Sequence, residues 1–130
     1  MRIAGRALPD GSWWDWEVLG WDAGRFRLAA GYDLTHHHGL EVHFLSPALV
    51  SCPFAFQDPV FRPPTAEERA RLARSLGEEP PLIVAFEADG GGGEPVSCLI
   101  AAEGVEIRPG LVRREVPGRP DWPGVHLVTD

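Results

Sequence analysis

Between Ser12 and Tyr32 apolar and polar residues alternate with period two on both sides of a short turn. The first limb reads S-W-W-D-W-E-V-L-G-W to Trp21, Asp22-Ala-Gly24 follows, and the second limb reads R-F-R-L-A-A-G-Y. A three-residue loop with glycine third closes a hairpin readily, because glycine accepts the left-handed conformation there. That loop pairs Trp21 with Arg25 and sets the register. Trp14, Trp16, Val18 and Gly20 then share one face with Phe26, Leu28, Ala30 and Tyr32. Trp13, Asp15, Glu17, Leu19 and Trp21 share the other with Arg25, Arg27 and Ala29. One apolar face and one mixed face describe a half-buried antiparallel pair.

The alternation resumes from His36 to Leu45, with Leu40, Val42 and Phe44 on one side and Glu41, His43 and Leu45 on the other. Ser46-Pro47 breaks it, and Ala48–Cys52 reads as a short further strand. The stretch 53–64 carries four prolines among Phe54, Phe56 and Phe61, which predicts an ordered loop packed by its aromatic rings. Thr65-Ala-Glu-Glu68 is a capping box and Gly77 a stop signal, so a short α-helix is expected over 65–76, its thin apolar stripe covering an edge of the sheet. Leu82–Ala88 and Val96–Ala102 are apolar on both faces and flank Asp89-Gly-Gly-Gly-Gly-Glu94, the pattern of two central strands in a long hairpin. Val105–Ile107 continues the second or forms another strand, 109–123 reads as a surface excursion, and Val125–Thr129 as a closing strand. The expected fold is therefore mainly β. It is an antiparallel β-sandwich or partly open barrel of about seven to eight strands with one short helix, and residues 1–130 form a single domain.

Composition narrows the partners more than the architecture. An apolar fraction of 44% and a charged fraction of 24% are those of a globular chain. The net charge of -7 repels phosphate backbones and anionic bilayers, so neither nucleic acid nor a membrane is expected as a partner. There is no apolar run long enough to span a bilayer and no secretory leader pattern at the N-terminus, which together predict a cytoplasmic protein. Every basic side chain is arginine, asparagine is absent and Gln57 is the sole glutamine, a thermophile-like composition. Cys52 and Cys98 sit in matching Val-Ser-Cys triplets in apolar surroundings. That setting suits buried, reduced thiols and leaves a disulfide between them open.

Candidate chemistry lies in two places. His36, His37 and His38 form an internal run followed by Glu41 and His43, and imidazole with carboxylate suits zinc, iron, nickel or manganese. On one continuous strand His36 and His38 project with Leu40 and Val42, whereas His37, Glu41 and His43 project the other way; a turn over 35–39 would remove that parity. The strand His-x-His pair with a following Glu resembles the first metal motif of the cupins, which are β-barrels of similar length. Here Glu41 lies on the face opposite His36 and His38, and Pro123-Gly-Val-His126 has the wrong spacing for the second motif. No ligand role is therefore carried over, although His126 remains a candidate extra ligand. The second place is the mixed face of the hairpin, where Trp13, Trp21 and Arg25 supply the residue types enriched at binding hot spots. The glycine run lacks the following Lys-Ser/Thr and helix of a phosphate loop, and its acidic flanks oppose one.

Gly-x-Ser-x-Gly, His-Glu-x-x-His and Cys-x-x-Cys are all missing. The expectation is a non-enzymatic binding or protein-interaction domain without a cofactor, using the Trp13/Trp21/Arg25 face or the aromatic loop Phe54–Phe61 to meet a basic protein or a second copy of itself as a homodimer. The alternative is a metal-dependent small-molecule enzyme or binder built on His36 to His43.

Overall fold

The computed structural model describes residues 1–31 and 37–113. The strands in chain order are β1 (Arg2–Ile3), β2 (Arg6–Ala7), β3 (Asp15–Trp21), β4 (Arg25–Gly31), β5 (His37–Leu45), β6 (Leu49–Ser51) and β7 (Ala55–Arg62). After the helix α1 (Ala66–Leu76) come β8 (Leu82–Asp89), β9 (Val96–Ala102) and β10 (Gly104–Arg113). β1 and β2 form a small hairpin. The remaining eight strands make one antiparallel sheet in the order β10-β5-β4-β3-β7-β8-β9-β6.

Two of those neighbours are halves of longer strands, and this closes the sheet. β5 runs into β6 through a kink at Ser46–Ala48, where Ser46 takes φ 49°, and β9 runs into β10 through Glu103. β5 pairs with β10, with Leu45 opposite Gly104, while β6 pairs with β9, with Leu49 opposite Ala101. The bend between the two ladders is bridged by Ala48 N–H donating to the Ala101 carbonyl and Glu103 N–H to that of Leu45, at 2.8 Å each. Followed through these corners, the pairing returns on itself as a ring of six strands, two of them bent. Such corners are where strands pass from one layer of a β structure to another.

Alternation fills the inside of the ring. Trp16, Phe26, Leu28, Leu40, Val42, Phe44, Phe56, Phe86 and Ile100 are all fully buried in one cluster. Within it Trp16 lies over Phe56 with centroids 6.0 Å apart, and Phe56 and Phe61 both meet Phe86. Ile3 and Leu8 join the cluster from the N-terminal hairpin, which turns through Ala4 and Gly5, both at positive φ. A turn needing φ > 0 at two residues is expected from Asn-Gly or Gly-Gly, not Ala-Gly, so the pattern gave no warning of it.

The helix forms as its capping box dictates. Thr65 Oγ1 accepts from Glu68 N–H and the Glu68 carboxylate accepts from Thr65 N–H, while Gly77 caps the other end in the left-handed conformation. Its stripe, Leu72 and Leu76, lies on Ala85, Leu99 and Ala101, with Leu49 and Ile83 alongside. The helix therefore covers the outer face of β8, β9 and β6, not a sheet edge, because those strands are apolar on both sides.

The hairpin register corrects the sequence reading at its turn. Trp16 opposite Ala30 and Val18 opposite Leu28 stand as expected, but a bulge between Val18 and Gly20 leaves Trp21 opposite Phe26 instead of Arg25. Asp22 explains the shift: its carboxylate accepts from the N–H groups of Gly24 and Arg25, and its own N–H donates to the Arg25 carbonyl. Arg25 is thereby drawn into the turn, and the extra residue in β3 compensates.

The face assignment of Trp13 and Trp14 is likewise reversed. β3 begins at Asp15, and Trp13 folds back so that its indole N–H meets the Pro9 carbonyl at 2.6 Å and its ring packs against the core. Trp14 is left exposed. Residues 55–62, expected as a loop, are strand β7, because Pro59 sits in a bulge between Gln57 and Val60 where no ladder N–H is required. Residues 109–113, expected in a surface excursion, extend β10 to Arg113; Val125–Thr129 lies outside the described residues.

Removing the ring at the centre of this core should be costly and removing the exposed indole should not. Phe86→Ala is expected to lower the free energy of urea unfolding by about 3–5 kcal/mol, whereas Trp14→Ala should change it by about 0.5 kcal/mol or less.

Candidate functional site

Outward-facing residues of β4, β5 and β10 build a polar network around His43. The His43 Nε2 lies 2.8 Å from Glu41 Oε1, and Arg25 Nη1 lies 2.9 Å from His43 Nδ1. A guanidinium only donates and a carboxylate accepts, so the arrangement requires the proton on Nε2 and a lone pair on Nδ1 aimed at Arg25. Arg25 also donates to Glu106 at 3.0 Å, and Arg108 donates to the same oxygen. The hydrogen bond from Arg25, then that from Arg108, holds the Glu106 carboxyl below its usual range. His43 is only 4% exposed, the one buried polar residue among those described. Both of its ring nitrogens are engaged by protein, so a metal ion would have to displace Arg25 from the only available lone pair.

The other histidine candidates lie at the start of β5 or outside the described residues. His37 and His38 stand opposite Arg113 and Val112 in the β5–β10 ladder, and His36 and His126 lie outside the described residues. Among the described residues no group of three His, Cys, Asp or Glu is placed to hold a metal ion. The tryptophan–arginine face is dispersed as well. Trp13 packs inward, Arg25 belongs to the histidine network, and Trp21 sits edge-on to Phe26 with centroids 5.7 Å apart, its own surface 58% exposed.

A groove not singled out from the sequence lies between β7, β8 and the glycine loop. It has a volume of about 340 Å³, and Asp58, Glu87, Asp89 and Glu94 bring carboxylates to it, with Val60 and the backbone of Gly92 and Gly93 beside them. The bulge at Asp58–Pro59 shapes this wall. Asp58 takes φ 51° and donates its N–H to the Trp14 carbonyl, and Val60 emerges outward, 65% exposed. At the loop end the Pro53 ring packs where Gly90 has no side chain, and the next residue, Phe54, is 71% exposed. The signal available in the sequence was the Asp-Pro-Val of the bulge, hidden inside an apparent loop.

Arg62 stabilises the β8 wall of the groove. It donates to both oxygens of Glu68 at 2.8 and 2.9 Å and to both oxygens of Glu87, and Ser97 Oγ donates to Glu87 as well. These bonds tie the start of α1 to β7 and β8. The Arg62 guanidinium holds Glu68 well below the usual carboxylate range, at about 2, and also lowers Glu87; in return the two carboxylates raise Arg62. Asp58, Asp89 and Glu94 supply the rest of the groove's negative charge.

Compared with family models, with curated proteins and with solved structures, the chain matches none.

Acid should test the Arg62 clamp. The Glu68 carboxyl sits lower in the folded than in the unfolded chain, so its contribution is complete above about pH 4.5 and is lost as pH falls toward 2. Urea unfolding across that window should cost the native chain about 2 kcal/mol more than Glu68→Gln, which has no such proton to bind. Equal acid sensitivity in the two proteins would contradict the clamp.

Proposed function

We propose that the chain is a non-enzymatic interaction domain whose groove between β7, β8 and the glycine loop receives a basic, partly apolar segment of another protein. The observation that carries this reading is the juxtaposition of exposed Val60 with the carboxylates of Asp58, Asp89 and Glu94 in the lining of one groove. Apolar side chains held out in water beside a patch of one charge are costly to solubility and useful in recognition. The wall itself is rigid, since Glu87 is held by Arg62 and Ser97. A net charge of -7 adds long-range attraction for a cationic partner and speeds its encounter. Trp21 offers a further exposed aromatic surface at the β3–β4 turn.

A short peptide alternating arginine and leucine is a suitable probe. Backbone amide shifts in an NMR titration should concentrate at Val60, Gly92, Gly93 and Glu94, and the affinity should fall with rising salt. Val60→Ser, which leaves the core untouched, should weaken binding roughly tenfold, or about 1.4 kcal/mol. Shifts spread evenly over the acidic surface, or an affinity indifferent to both salt and Val60→Ser, would refute the proposal.

A further inference from the structure

The two Val-Ser-Cys triplets meet across the closing ladder. Val50 stands opposite Ile100 and Ser51 opposite Leu99, so one more step in the same register sets Cys52 against Cys98. Parity agrees with register: Val50, Ile100, Cys52 and Cys98 all pack in the interior cluster, whereas Ser51 is exposed. Both cysteines are free thiols, and Cys98 Sγ lies 3.5 Å from the carbonyl of Val96 on its own strand. Directly opposed residues of an antiparallel pair have Cα atoms about 4.5–5.5 Å apart, inside the roughly 4.4–6.8 Å range a disulfide spans.

We propose that Cys52 and Cys98 are a disulfide-forming pair, oxidised by exchange with a low-molecular-weight disulfide to a cross-strand bond that locks β6 to β9. One protein thiol loses its proton, and its thiolate attacks a sulfur of the small disulfide. The S–S bond of the reagent breaks, and the departing thiolate takes up the proton. The second protein thiolate then attacks the protein sulfur of the mixed disulfide, the Cys52–Cys98 bond forms, and the second small thiol leaves. Two protein thiols are oxidised and one small disulfide is reduced to two thiols.

The bond closes the chain from 52 to 98 around β7, α1 and β8, so it restrains the unfolded state. Burial governs how fast it forms. It pushes the Cys98 thiol up to about 11, and burial together with neighbouring Cys98 pushes Cys52 up to about 12, so little thiolate is present at neutral pH. The pair is therefore slow to oxidise, and its rate should climb about tenfold per pH unit between neutral pH and pH 9.

The native chain incubated with oxidised glutathione at pH 9 supplies the test, read by intact-mass and peptide-mapping mass spectrometry after alkylation in denaturant. The expected product is monomeric, has lost two hydrogens, carries no alkyl group, yields a peptide pair joining Cys52 to Cys98, and melts about 5 °C or more above the reduced form. Full alkylation of both cysteines after prolonged exposure, a glutathione adduct that never closes, or a disulfide between two chains would each overturn the assignment. No variant is needed, so a failure to fold cannot obscure the result.

Discussion

A sheet that closes on itself must turn corners without abandoning its hydrogen bonds, and here two strands do so at the same place. The kink at Ser46–Ala48 and the bend at Glu103 face each other, and the bonds from Ala48 to Ala101 and from Glu103 to Leu45 carry the ladder across. Buried backbone groups left unpaired at such a corner would cost more than most single side-chain contacts return. Because the corner holds, β5 and β10 on one side and β6 and β9 on the other belong to a single enclosure. The aromatic interior, the helix seat on Leu99 and Ala101, and the opposition of the two cysteines all follow from that geometry.

Much of this was legible because period-two patterning survives wherever a strand separates core from solvent. Leu40, Val42 and Phe44, or Trp16 and Val18, announce their faces regardless of tertiary context, and Thr65 with Glu68 announces the helix start. The legible features fail where a side chain competes with the backbone. Asp22 captures two N–H groups and moves the hairpin by one residue; Pro59, an apparent strand breaker, is absorbed by a bulge. Trp13 leaves the alternation because its indole finds the Pro9 carbonyl.

The candidate chemistry divides along the same line. Histidine spacing suggested ligands, yet which lone pair is available depends on the neighbouring strands, and Arg25 reaches His43 only because β4 lies beside β5. Of the groove only the Asp-Pro-Val of its bulge was visible in the chain, and nothing there marked it as a wall. Its carboxylates come from both sides of a hairpin loop and from a bulge, positions with no common period. Placing them together took the pairing of β7 with β8, a non-local fact.

The closing corner also bears on how the chain reaches its fold. β3, β4 and β5 follow one another and pair in that order, as do β8 and β9, so each group needs only short loops to form. The contacts of Leu45 with Gly104 and of Ser51 with Leu99 join strands separated by β7, the helix and β8. Their loop-closure entropy is spent before any of the enclosure's burial is gained. The corner thus joins the ladder partners that lie farthest apart in sequence, those with the highest loop-closure cost in the sheet.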